Sequence, residues 1–135
     1  MDRPAVRDAA LLIVRVVIGV VFVAHGYDKF FLTGLTETTG QFSAWGVPQP
    51  GISAIVAGLS EMIGGALLVV GLLSTVVAGA LALMMVAAVY FVHLDAGFFV
   101  AQGGGEYAAV LMVTLLVIVV FGAGRASLDR VLASA

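Results

Sequence analysis

The chain contains no cysteine, which removes disulfides, thiolate nucleophiles and Cys-ligated zinc or iron–sulfur centres from its own chemistry. Any redox step it serves must use another group or another protein. Charge is scarce: charged residues make up 10% of the 135 positions, with a net charge of −2, whereas soluble domains carry about a quarter. The six basic residues are scattered, so the clustered Lys and Arg that nucleic acid demands are absent and that class of partner is excluded. No glycine-rich nucleotide-binding pattern is present either. There are three prolines, and two of them, Pro48 and Pro50, fall in one polar stretch; proline breaks helices by removing a backbone donor.

What is there is apolar. Hydrophobic residues make up 62% of the chain, more than a soluble fold of this length could bury. A hydrocarbon core of roughly 30 Å needs about 20 apolar residues per helix, so four crossings with short connections use nearly the whole chain. The predicted fold is all-α, a transmembrane four-helix bundle forming one membrane domain over 1–135, with helices over about 9–32, 52–73, 76–94 and 106–122. Arg15 interrupts the first apolar run, which argues for a retained helix over a cleaved signal peptide. The segment from Thr33 to Gly51 reads as an outer loop with a short interfacial helix around Trp45, and Asp95 to Gly105 as a second loop. Ser74-Thr75 leaves room only for a tight turn, so the second and third helices are antiparallel neighbours. Arg3, Arg7, Arg15, Arg125 and Arg130 lie towards one end and only Lys29 towards the other, which predicts that both the N and C termini are cytoplasmic. Tyr27, Trp45, Tyr90 and Tyr107 fall at the opposite boundary, where amphipathic rings anchor in headgroups. The expected location is the bacterial plasma membrane, as a multi-pass protein.

Ionisable groups within the apolar layer are the candidate functional residues, because such groups face the bundle interior, a partner or water. At about 1.5 Å per residue, Glu61 lies roughly 13 Å below the outer end of its helix, His25 roughly 9 Å below the outer end of the first, and Arg15 roughly 9 Å above the cytoplasmic end. His93 and Glu106 stand at the outer ends of the third and fourth helices. His25, Glu61, His93 and Glu106 are expected to line a small outward-facing polar cavity. Arg15 either reaches inward to Glu61 or snorkels to the inner headgroups; Asp28 and Lys29 are read as interfacial charges. Glu61 is expected to face the interior with His25, His93 or Arg15 as its partner. Two histidines and two carboxylates could ligate a metal, but neither the Glu-x-x-His spacing of di-iron bundles nor the His-x-x-x-His of zinc hydrolases occurs, so no metal site is assigned. Gly58, Gly64, Gly65 and Gly71 are assigned to close helix packing. The matching offsets of Phe30-Phe31 after His25 and Phe98-Phe99 after His93 suggest two related helical hairpins.

Arg15, Gly19, His25-Gly26 and Lys29, then Gly46-Val47-Pro48, Glu61 with Gly64-Gly65, Gly71, Thr75, His93 and Gly105-Glu106-Tyr107 together resemble the DoxX family, over nearly the whole chain. The resemblance implies a four-helix membrane protein. One branch of the family resembles the membrane subunits of an archaeal thiosulfate:quinone oxidoreductase. Another is associated with an actinobacterial membrane complex that ties superoxide dismutase and a thiosulfate sulfurtransferase to oxidative-stress defence. The function expected is therefore an integral membrane subunit or anchor of a redox assembly, not catalytic alone, with the bilayer and a larger membrane complex or a second copy as partners. The alternatives are a quinone-reactive subunit of a sulfur-compound oxidoreductase, with quinone as the cofactor, and a small-solute or proton carrier.

Overall fold

A computed structural model describes residues 3–93, 106–124 and 127–133, with backbone alone at 92, 93, 106 and 107. Among the described residues every regular element is a helix. Helix α1 (Arg3–Tyr27) continues through a π-helical segment, Asp28–Leu32. The short α2 (Leu35–Ala44) follows, then α3 (Pro50–Val70) and α4 (Ser74–Ala88), which continues as a second π-helical segment, Val89–His93. Helix α5 (Glu106–Phe121) and the short α6 (Leu128–Ala133) complete the order. The stretches 3–32, 50–70 and 74–91 are each long and apolar enough to cross a bilayer, while the apolar part of α5, Ala108–Phe121, is shorter.

The four long helices close a ring in which α1 packs on α3, α3 on α4, α4 on α5 and α5 on α1. The pattern of burial is inverted relative to a soluble protein. Ile13, Val17, Val76, Leu83 and Val120 point outward, while Asp8, Arg15, Thr38, Glu61 and Ser74 are buried. Such a surface has lipid as its solvent, and the polar groups collect where helices can satisfy them. Ile18, Phe22, Leu68, Leu81, Leu115 and Ile118 fill the space between.

The α1–α3 seam is the closest. A Cβ added at Gly19 would stand 2.6 Å from the Gly65 carbonyl oxygen, and one at Gly26 would stand 2.6 Å from that of Gly58. Only glycine permits backbones to approach so far. These two contacts also fix the antiparallel register: Arg15 levels with Val69, and Val23 with Glu61. Gly64 faces Leu81 of α4 instead. Gly71 is a turn residue as well as a packing one: α3 ends at Val70, Gly71 takes φ +75° at its C-cap, and a Cβ there would collide with the Ser127 side chain and stand 2.9 Å from Arg15 Cζ. Its N–H and that of Leu72 both return to the Leu67 carbonyl, at 2.8 and 2.9 Å, closing the last turn.

The turn into α4 comes earlier than hydropathy suggests, because an acidic residue distant in sequence caps it. Asp129 of α6 accepts from the N–H groups of Leu73 at 2.6 Å and Ser74 at 2.8 Å, and its own N–H donates to Gly71 O at 2.9 Å. That cap satisfies two of the orphan donors of a helix start and holds Leu73 in the left-handed region, at φ +53°. The start of α1, the α3–α4 turn and α6 thus share one end of the bundle, the terminal end. Helix α2 lies across α3 and the first π segment at the other. It is the short helix expected near Trp45, and it buries Thr38. The stretch 94–105, which holds the second loop expected over Asp95 to Gly105, lies outside the described residues, as does Arg125.

Candidate functional site: a buried Lys–Glu pair beneath a cavity

The inward stripe of α1 runs through Arg15, Gly19, Phe22 and Gly26, the three- and four-residue spacing of one helix face. Lys29 and Phe30 are its next members. At this point the helix widens to π geometry, with Thr33 N–H bonding Asp28 O five residues back at 2.8 Å. Phe30 then lies against Gly58, where any side chain would collide with the ring, and Lys29 turns toward α3. Its Nζ meets Glu61 Oε2 at 2.8 Å, with side chains 20% and 8% exposed respectively. Helix direction explains how they meet from different heights. Side chains lean toward the N-terminus of their own helix, so on antiparallel helices Lys29 reaches down from the α2 end and Glu61 reaches up.

The backbone is held as well. Thr38, buried on α2, donates its hydroxyl to the Lys29 carbonyl at 3.1 Å, and Thr33 donates to Asp28 Oδ1 at 3.0 Å. The first of these bonds satisfies a carbonyl at the helix end and ties α2 to the lysine.

Above the pair lies a cavity of about 610 Å³. Phe22, Glu61, Met84, Met85 and Leu111 line it, with Ile52, Val56 and Ala57 of α3, Ala87 and Ala88 of α4, Phe91 of the second π segment, and Gln41, Phe42 and Trp45 from the α2 end. Its polar groups include His25, Asp28, Lys29, Thr38 and Glu61. A largely apolar chamber with a few convergent polar groups suits a small organic ligand.

Of the residues singled out from sequence, His25 and Glu61 share this cavity. The side chains of His93 and Glu106 lie outside the described residues, so the expected approach of the two histidines does too. The π segments end both outgoing helices, yet His25 precedes its segment whereas His93 closes its own, which gives the histidine-aligned repeat no support. Arg15 is elsewhere. Its guanidinium donates to Ala123 O at 2.5 Å and to Val69 O at 3.4 Å, just past or within the last turns of α5 and α3, where negative helix ends attract cations. In the observed register Glu61 stands eight residues, about 12 Å, from the level of Arg15, and Arg15 leans the opposite way. It therefore neither reaches Glu61 nor snorkels to headgroups; at 2% exposure it clasps two helix ends.

The sequence reading assigned Lys29 to the interface and missed it as the partner of Glu61. The signal was present: Lys29 continues the stripe that carries Arg15, Gly19, Phe22 and Gly26. Among the described residues no three His, Cys, Asp or Glu side chains converge as a metal-binding group.

The family model described as DoxX matches residues 10–94. An uncharacterised protein of Haemophilus influenzae is 35% identical over 127 residues, spanning 92% of this chain and 91% of that protein. A Bacillus subtilis protein named "Putative oxidoreductase CatD" is 32% identical over 122 residues, 90% of this chain and 86% of that one. An uncharacterised membrane protein of Mycobacterium tuberculosis is 32% identical over 131 residues, 90% of this chain and 80% of that one. No solved structure matches.

Proposed function

The chain belongs to the DoxX family of bacterial integral membrane proteins, and from that premise we propose that it is a four-span membrane subunit of a redox assembly, with both termini cytoplasmic and the cavity in the half of the bundle away from them. The observation that carries this reading is the Lys29–Glu61 pair beneath the cavity. A buried ion pair is seldom the most stable filling of its space, since well-packed apolar residues often do as well or better. Ionisable groups at membrane depth are functional by default. The Bacillus relative named as an oxidoreductase agrees with a redox setting. Lacking thiols and a nucleotide motif, the chain depends on a partner for electrons.

Purification of the intact chain from its native membrane in mild detergent tests this: larger redox subunits recovered in fixed ratio support the assembly role, and the chain alone refutes it. For the topology, Gly40→Cys should react with an impermeant thiol reagent in intact cells and Leu132→Cys should not. The reverse pattern refutes it.

A second reading is favoured by the lining of the cavity, whose aromatic and aliphatic walls carry a few polar groups, the Lys29 ammonium and the Glu61 carboxylate among them: it holds the ring of a quinone. A quinone supplies two-electron, two-proton chemistry when bound. Lys29 is placed to donate a hydrogen bond to a ring carbonyl, and Glu61 to exchange a proton through it. Trp45 is the chain's single tryptophan and lines the cavity. Saturable quenching of its fluorescence by decylubiquinone, lost in Lys29→Met, supports this reading; quenching unchanged by that substitution refutes it.

A further inference from the structure

The path into the cavity is written in the α3–α4 pair. The two helices leave one tight turn and touch where Gly64 receives Leu81, in the half nearest that turn. Continuing the same antiparallel register, Met84 levels with Glu61 and Ala88 with Ala57. All four line the cavity, so at this height the helices are parted by it. The edges of the parting are apolar and face outward: Ile52 and Val56 are 63% and 55% exposed and Ala87 is exposed, yet all three line the cavity as well. Ala57 and Ala88, level across the parting in that register, are both small. Toward the α2 end the rim is of a different kind: Thr38 is pinned to the Lys29 carbonyl, Phe42 and Trp45 pack on each other, and the exposed Gln41 and Trp45 line the cavity beside them.

Resting on the ligand reading above, we infer that the cavity is loaded sideways from the bilayer, through the seam between the α2-end halves of α3 and α4. The seam assigns the ligand class: a membrane-dissolved amphiphile with a small uncharged, hydrogen-bond-accepting head and an apolar chain. The head enters first and meets Lys29 Nζ. The chain remains between Ile52, Val56 and Ala87 or trails into lipid. A charged, water-borne solute would have to cross that rim unsolvated, which is costly in hydrocarbon. The head lies at mid-depth, since Glu61 stands eleven residues, about 16 Å, from the start of α3; a headgroup-anchored phospholipid does not submerge its charge that far.

The cysteine-free chain makes the test direct. The full-length Ala57→Cys variant, nitroxide-labelled and reconstituted in phosphatidylcholine bilayers, is examined by power saturation with oxygen, which concentrates in lipid, and with a water-soluble nickel chelate. Oxygen should dominate. Dominance of the chelate means an aqueous route and overturns the inference, and so does low access to both, which means a seam shut against another chain. In the Ala57→Cys/Ala88→Cys variant, bridging the thiols with a short reducible reagent should slow stopped-flow quenching of Trp45 by decylubiquinone at least tenfold, with recovery on reduction. An unchanged rate overturns the lateral route. An oxygen-accessible seam with no saturable quenching in the unbridged protein upholds the lateral route and refutes the quinone reading alone.

Discussion

Replacing Lys29 by Met strands Glu61. The carboxylate stands nine residues, about 13.5 Å, from the nearer end of its helix, is 8% exposed and has Nζ of Lys29 at 2.8 Å. Removing one member of a buried pair costs about 3–5 kcal/mol. The lysine keeps 20% exposure, so the low end, about 3 kcal/mol, applies. The opposite deletion is gentler. With Glu61→Leu the flexible ammonium, six residues closer to the α2 end in the shared register, can straighten toward the headgroups as lysines near helix ends do, for a cost of about 1 kcal/mol. Lys29→Met combined with Glu61→Leu leaves an apolar pair of similar volume, and such replacements are often neutral or better. The expected result is an unequal pair of single losses and a double variant near wild type, with a coupling energy of at least about 2 kcal/mol. Reversible unfolding in mixed dodecyl maltoside and SDS micelles, followed by circular dichroism and by Trp45 fluorescence, measures all four corners. Equal single losses, or coupling below about 0.5 kcal/mol, would refute the pairing and the depth argument together.

The other expectations use the same unfolding assay. Gly65→Val should lose roughly 3 kcal/mol or more, as an overpacked core does at worst, because a Cβ there falls 2.5 Å from Gly19 O and 2.8 Å from the Val23 nitrogen; Gly79→Ala, with nothing within 4 Å, should gain up to about 1 kcal/mol from helix propensity. Equal effects would refute the assignment of a glycine seam. Asp129→Ala should cost about 1–2 kcal/mol by uncapping α4 and unclasping α6, with faster hydrogen exchange at Leu73 and Ser74; unchanged exchange there would show that the cap is not used. Arg15→Lys keeps the charge but loses the fork that spans Ala123 and Val69. It should cost about 1.5–3 kcal/mol, and full stability would mean that charge alone suffices.

How far the site could be read from sequence turns on one distinction. Depth was legible, because the rise per residue places Glu61 and Arg15 along their helices, and the apolar runs announced the long helices themselves. What depth cannot supply is facing and direction. Lys29 was set aside because it sits near the end of an apolar run, where charge is cheap, yet its stripe through Gly19, Phe22 and Gly26 already put it on the inward face. Charge made Arg15 one of three partners offered to Glu61, beside His25 and His93, although the tilt of side chains toward each helix N-terminus sends Arg15 and Glu61 apart on antiparallel helices. The same tilt brings Lys29 and Glu61 together across six residues of height. Two further determinants had no local sequence signature. The π widening at Asp28–Leu32 depends on Phe30 finding the notch at Gly58, and the early start of α4 depends on Asp129, 55 residues away. Both are long-range contacts, and register supplies them. Two pairs of glycines set that register, so in this bundle the residues that lack side chains decide which charged side chains can meet.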